Sequence, residues 1–162
     1  MSDLYVDDFV LWSEQQADRL RSLARGEKVN DVDWPNLVEE VESLGRSATN
    51  AVRSLLLRAL EHFLKAAAWP QAQSARKWVH EAGTFLRDAR REWTPSMRQH
   101  IDLDALYADA RETVLDLEFE EGAPAALPGR CQVTLDELLA ADPKDLAKRF
   151  SPPPADSTPA TR

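Results

Sequence analysis

Cysteine, glycine and histidine are scarce in this chain of 162 residues, which holds one, five and three of them. The single cysteine, Cys131, cannot form an internal disulfide and has no cysteine neighbour at metal-ligand spacing. No glycine-rich phosphate loop occurs, so the usual nucleotide-binding signatures are missing. A chain of this length buries a sizeable core without disulfides or metals. A reducing compartment, the cytoplasm, is therefore the expected location.

The sequence also lacks an excess of positive charge and any long apolar run. Twenty basic residues against twenty-eight acidic residues give a net charge of −8, which opposes binding to a phosphate backbone. No stretch approaches eighteen consecutive apolar residues, and the start has no basic region followed by an apolar core of the signal-peptide type. We therefore expect binding neither to nucleic acid nor to a membrane.

Helical spacing of apolar residues is what the sequence has in abundance. Between Asn36 and Trp69 one apolar stripe recurs at 100° per residue, within roughly 60° of a single line. The second half of this stretch is apolar nearly all round, which is typical of a helix in the middle of a bundle, whereas the first half is acidic and apolar on one side only. The stripe contains Leu37, Val41, Leu44, Ala48, Ala51, Val52, Leu55, Ala59, His62 and Ala66.

Prolines and capping residues divide the chain into helical segments. Asp33 and Pro35 predict the start of the long helix, and Pro70 predicts its end. Thr134 and Glu137 have the spacing of a capping box, which predicts a short helix ending near Ala141. Further segments are predicted at about 2–25, with an interruption near Asp7, at 74–92 with Ser74 as the cap, and from Pro95 to about Phe119 with Asp102 as a possible cap.

These segments predict an all-α protein with one domain, residues 1–150. Its architecture is expected to be a helical bundle of four main helices plus a short C-terminal helix. Residues 151–162 are rich in proline and poor in apolar side chains, so they predict a disordered tail.

Several blocks of residues resemble the bacterial "domain of unknown function" family number twenty-nine. They are NLVEEVESLGRS (Asn36 to Ser47), His62 with Leu64 and Lys65, Trp78, the pattern of Tyr107, Ala108 and Arg111, and Cys131 with Thr134, Leu135, Leu138 and Leu139. The resemblance spans about residues 4–141. It implies a compact α-helical fold found in bacteria, with no established activity.

His62 is the polar residue that stands out on the apolar stripe. A buried neutral imidazole needs both a donor and an acceptor, so a structural role is the favoured interpretation. Arg58, His62 and Lys65 line one edge of the helix, and we expect a carboxylate on another helix to face them. The candidates are Asp88, Asp109 and Glu112. An alternative reading of Arg58, His62 and Lys65 is a polar pocket that binds an anion.

The sequence offers little support for catalysis or metal binding. The Glu-x-x-His spacing of di-iron bundles is absent. His62, His80 and His100 are candidates for a three-histidine metal site if the fold brings their three segments together. No residue is assigned a catalytic or cofactor-binding role, and no cofactor is expected.

The function that these observations favour is a non-enzymatic interaction or regulatory module in the bacterial cytoplasm. Five tryptophans and an acidic exterior favour a protein partner or a homo-oligomer, bound through an exposed apolar patch of several hundred Å². The alternative is a metal-dependent or small-anion-binding enzyme built on the same helical bundle.

Overall fold

Helices make up all of the regular structure in the part of the chain that the structure, a computed structural model, describes, residues 3–119 and 122–151. The predicted all-α class is confirmed. The predicted tail falls outside the described residues from residue 152 onwards. The helices are α1 (Leu4–Asp7), α2 (Phe9–Ala24), α3 (Trp34–Ala68), α4 (Ala75–Glu92), a 3₁₀ helix (Pro95–His100), α5 (Leu103–Leu115), α6 (Leu135–Ala140) and α7 (Pro143–Phe150).

The chain divides into two compact units, residues 1–47 and 48–162, and the boundary falls inside α3. The first unit holds α1, α2 and the start of α3, and the second holds the rest of α3 and all later helices. The single domain expected for residues 1–150 stays a prediction.

In the first unit, Asp8 separates α1 from α2 as the predicted interruption near Asp7 requires. Its backbone is not helical, and its carboxylate accepts a hydrogen bond from the amide of Leu11 at 3.0 Å. The break lets three aromatic rings pack together, with the Tyr5 and Trp12 ring centroids 4.9 Å apart and Phe9 beside both. Edge-on and stacked pairs of this kind stabilise a small cluster.

Hydrogen bonds to Asp33 fasten α2 to the start of α3. The buried Trp12 donates its indole N–H to the Asp33 carboxylate at 2.9 Å, and the buried Gln16 accepts from the Asp33 amide at 2.9 Å. The carboxylate also accepts from the amide and the side chain of Asn36, which confirms Asp33 as the cap of α3. These hydrogen bonds lower the pKa of Asp33, and the bond from the Asn36 side chain contributes most, ahead of the bond from Trp12.

The core of the second unit is built around the later part of α3. Leu56, Leu60 and Phe63 have no exposed surface. The side chains packed into the same core come from α4, α5, α6 and α7, which supply Leu86, Val114, Leu138 and Phe150 among others.

The predicted caps hold at three positions and fail at one. Asp102 accepts from the amide of Ala105 at 3.1 Å, and Thr134 and Glu137 form the complete capping box. Ser74 precedes α4 as predicted, but its side chain makes no capping hydrogen bond, so the prediction that Ser74 caps α4 is wrong.

Two elements differ from the sequence-based expectation. The segment predicted to start near Pro95 first forms a 3₁₀ helix and then restarts as α5 at Leu103. A further helix, α7, follows α6 without having been predicted. Asp142 caps it and Pro143 occupies its first turn, which is the same pairing that starts α3.

A glycine allows α4 and α7 to approach each other closely. A Cβ atom added at Gly83 would lie 3.0 Å from Cγ of Pro143, and the proline ring cannot rotate away. The other helical glycine, Gly45 in α3, has nothing within 4 Å of such an atom. Of these two helical glycines, only Gly83 therefore lies at a close approach to another helix.

These two glycines form a matched pair for testing the packing of α7. Gly45→Ala should stabilise the protein by up to about 1 kcal/mol, because alanine is the better helix former. Gly83→Ala gains the same helix propensity but overpacks against Pro143, so it should destabilise the protein by about 1 kcal/mol or more. Chemical denaturation followed by circular dichroism measures both. Equal stabilisation by the two substitutions would contradict the close approach of α4 and α7.

Candidate functional site

His62 on α3 is fully engaged by neighbours within the second unit. Its Nδ1 atom lies 2.8 Å from the carbonyl oxygen of Arg58, one turn earlier in the helix. Its Nε2 atom lies 3.2 Å from a carboxylate oxygen of Glu81 on α4, and the two side chains are 17% and 36% exposed. The structure therefore provides the facing carboxylate that the sequence predicts.

The identity of that carboxylate differs from the expectation. Asp88, Asp109 and Glu112 were the candidates, but Glu81 is the residue in contact. Asp88 lies 3.6 Å from Arg91 within its own helix. The three candidates were wrong because helical spacing gives the rotational position of a side chain on its own helix, while the pairing depends on how α4 packs against α3.

The hydrogen-bonding partners of His62 determine when the contact with Glu81 is charged. The carbonyl oxygen of Arg58 and the carboxylate of Glu81 are both acceptors. A neutral imidazole carries one N–H and can donate to only one of them, so donation to both needs a proton on each ring nitrogen. The pair is consequently an ion pair only with a doubly protonated His62.

Other groups around the pair complete a small polar cluster. The ring of Phe85 lies 5.2 Å from the imidazole, and the guanidinium of Arg58 lies 5.9 Å from the centroid of the same phenyl ring. Lys77 approaches the second carboxylate oxygen of Glu81 at 3.7 Å. Glu81 is thus shared between an imidazole and an ammonium group.

The polar pocket predicted from Arg58, His62 and Lys65 stays a prediction, and the contacts of these residues give it little support. Both nitrogens of His62 already have partners, so the ring has no N–H to offer to an anion. Arg58 is exposed and lies over Phe85, while no hydrogen bond or ion pair joins Lys65 to this cluster among the described residues.

The three candidate metal ligands are not brought together. His80 and His100 are exposed, whereas His62 is paired with Glu81. Across residues 3–119 and 122–151, no three His, Cys, Asp or Glu side chains are arranged to hold a metal ion. His62, His80 and His100 therefore do not form the three-histidine site.

Comparison with known proteins supplies the family. The model of the family described as "Domain of unknown function DUF29" matches residues 4–142. The chain belongs to this family. The boundaries agree with the resemblance found in the sequence, which spans about residues 4–141.

A solved structure shows the same fold. The DUF29 chain is similar to the crystal structure of an α-helical protein of unknown function from Rhodospirillum rubrum ATCC 11170, with 25% sequence identity and a TM-score of 0.66. The similarity covers 94% of this chain and 100% of the other. No curated protein matches the chain. No helix in the described part of the DUF29 chain has the length and apolarity needed to cross a membrane.

Four of the residues that carry the family resemblance line neighbouring cavities beside α5. Tyr107, Ala108 and Cys131 line one cavity of about 240 Å³, and Ala108 and Arg111 line another of about 370 Å³. Gly129, in the loop before Cys131, borders both cavities. Sequence reasoning noticed this pattern as a family feature and assigned it no site.

The reactive groups at these cavities are held in their protonated forms. Tyr107 donates its hydroxyl to the carbonyl of Pro128 at 2.7 Å, and burial raises the pKa of Tyr107 to about 12. Burial likewise raises the pKa of the Cys131 thiol, which donates to the carbonyl of Val133 at 3.4 Å. Because the thiolate is the nucleophile, Cys131 is poorly suited to covalent catalysis.

A double-mutant cycle tests the pair of His62 and Glu81. His62→Ala, Glu81→Ala and the double variant should show a coupling of about 0.5 to 1 kcal/mol in the free energy of unfolding. Glu61→Ala combined with His62→Ala is the matched control. A coupling for Glu81 no larger than that for Glu61 would contradict the pairing.

Proposed function

We propose that this DUF29 chain is a non-enzymatic interaction module of the bacterial cytoplasm, which binds a protein through an apolar surface of its first unit. The observation that carries the proposal is the exposure of one line of α3, which we name the apolar line. Trp34, Val38, Val41 and Leu44 form it, and they are 56%, 54%, 68% and 70% exposed.

Residues on the same side of α3 later in the chain are buried, whereas the apolar line is not. Eighteen residues make about five turns of an α-helix, so residues eighteen apart lie on the same side. Val52, Leu56 and Ala59 stand in these equivalent positions and have no exposed surface. They follow Trp34, Val38 and Val41 by eighteen residues each, and His62 follows Leu44. The same apolar pattern is therefore covered in one part of the helix and uncovered in the other.

Exposed apolar side chains are concentrated in the first unit of the protein. Among the described residues, nine of the ten large exposed hydrophobic side chains belong to this unit. Scattered exposed hydrophobic residues are normal on a protein surface, but a concentration of them marks an interaction site. Besides the apolar line, the set includes Val6, Phe9, Val10, Leu11 and Leu20.

The alternative function, a metal-dependent or small-anion-binding bundle enzyme, has less support. His62, its leading residue, already uses both ring nitrogens within the protein. Cys131 has a raised pKa, which disfavours the thiolate. No observation on Arg58 or Lys65 favours a ligand beside them.

Substitutions on the apolar line test the proposed function. Val38→Asp with Val41→Asp places two carboxylates on the exposed line, so it should abolish binding of the partner while the helices remain folded, because both side chains are already in solvent. Immobilised protein is mixed with lysate of its own host bacterium, and retained proteins are identified by mass spectrometry.

The matched control for this experiment is Leu115→Asp, an exposed hydrophobic residue in the second unit. A protein retained by the wild type and by Leu115→Asp, but not by the double variant, is the expected result. Retention of the same proteins by all three would overturn the proposal. Circular dichroism and thermal unfolding establish that the variants remain folded.

A further inference from the structure

We infer that the partner covering the apolar line is a basic amphipathic helix of another protein. The inference rests on the proposed function, since it names the chemistry of the partner for that same surface. Three observations support it. They are the net negative charge of the first unit, the pairing of Arg46 with Glu39 and Glu42 on α3, and the helical spacing of the exposed apolar residues.

The first unit carries most of the net charge of the chain. Residues 1–47 contain eleven acidic and five basic residues, so they hold six of the eight net negative charges. Residues 48–162 are nearly balanced, with seventeen acidic and fifteen basic residues. Nine of the eleven acidic side chains in the first unit are exposed. An apolar surface in strongly acidic surroundings favours a basic partner, through both attraction and steering.

Carboxylates follow the apolar line on α3 itself. Glu42 lies one helical turn after Val38 and borders the line, Glu39 lies further round the helix, and both are more than half exposed. Arg46 is the only basic residue between Trp34 and Ser47, and it is shared by these two carboxylates at 2.7 Å and 3.5 Å. One guanidinium does not neutralise two carboxylates, so lysine or arginine side chains of a partner would find a favourable position here.

A second copy of the chain is a poor occupant for the same reason. Self-association through the apolar line would bring two surfaces of net charge −6 together. Like charges across an interface disfavour association, and at separations within the Debye length of about 8 Å, salt does not screen them fully. Arg46 is already engaged by Glu39 and Glu42. The first unit therefore has no free cation on this part of α3 to offer to a second copy.

The spacing of the apolar line indicates that the partner segment is helical. Trp34, Val38, Val41 and Leu44 repeat at four, three and three residues, which gives a narrow apolar strip along the helix. A partner helix with apolar residues at similar spacing packs along such a strip at an interaxial distance of about 8 to 10 Å. A peptide that binds as an added β-strand would need a strand edge, and no strand occurs in the described residues.

Three synthetic peptides test the chemistry of the partner. The first is an 18-residue helix with leucines at helical spacing and lysines elsewhere, the second replaces every lysine with glutamate, and the third keeps the lysines but scrambles the leucines. Isothermal titration calorimetry with the full chain at 150 mM salt should give an affinity for the first peptide at least tenfold higher than for either of the others.

Protein variants show where the basic peptide binds. Val38→Asp with Val41→Asp should weaken binding of the leucine–lysine peptide at least tenfold, and Leu115→Asp should leave it unchanged. Analytical ultracentrifugation should show a monomer at tens of micromolar protein.

The outcomes separate this inference from the proposed function. Two outcomes would overturn the inference of a basic partner but retain the apolar line as an interface. One is a dimer that Val38→Asp with Val41→Asp dissociates. The other is equal binding of the lysine and glutamate peptides through the apolar line. If neither self-association nor peptide binding responds to Val38→Asp with Val41→Asp, the inference and the proposed function are both overturned.

Discussion

Burial of the later part of α3 is the constraint on which the second unit depends. Leu56, Leu60 and Phe63 have no contact with solvent, and complete burial of each such side chain contributes about 1.5 to 3 kcal/mol relative to exposure. The helices that cover them also place Glu81 beside His62 at the edge of this core. His62, the polar residue that stands out on the apolar stripe, thus has partners for both ring nitrogens where α3 and α4 meet.

The same helix has a different environment in the first unit, and this difference is the basis of the functional account. There the hydrogen bonds around Asp33 fix α2 against the start of α3, yet they leave the side with Trp34 and Val41 in solvent. An apolar line has a free-energy cost in water wherever nothing covers it. The proposed partner would remove that cost by covering the line, and the acidic surroundings would favour a basic one.

Sequence reasoning predicted the features that depend on local chemistry. Helical periodicity gave the all-α class, and the caps at Asp102 and Thr134 follow from side chains that bond their own backbone. It missed α7, whose eight residues are too few to repeat the spacing of Leu146 and Phe150, and it chose the wrong carboxylate for His62. Exposure of Val41 was out of reach as well, because periodicity identifies an apolar side of a helix but not what packs against it.

Amide hydrogen exchange along α3 tests most directly the claim that one apolar pattern is covered in one part of the helix and bare in the other. Amides of residues 52–68 should be among the slowest to exchange, opening only with global unfolding, whereas those of residues 38–47 should exchange faster through local opening. Equal protection along the whole of α3 in the free, monomeric protein would mean that the line from Trp34 to Leu44 is already covered, and would contradict the account.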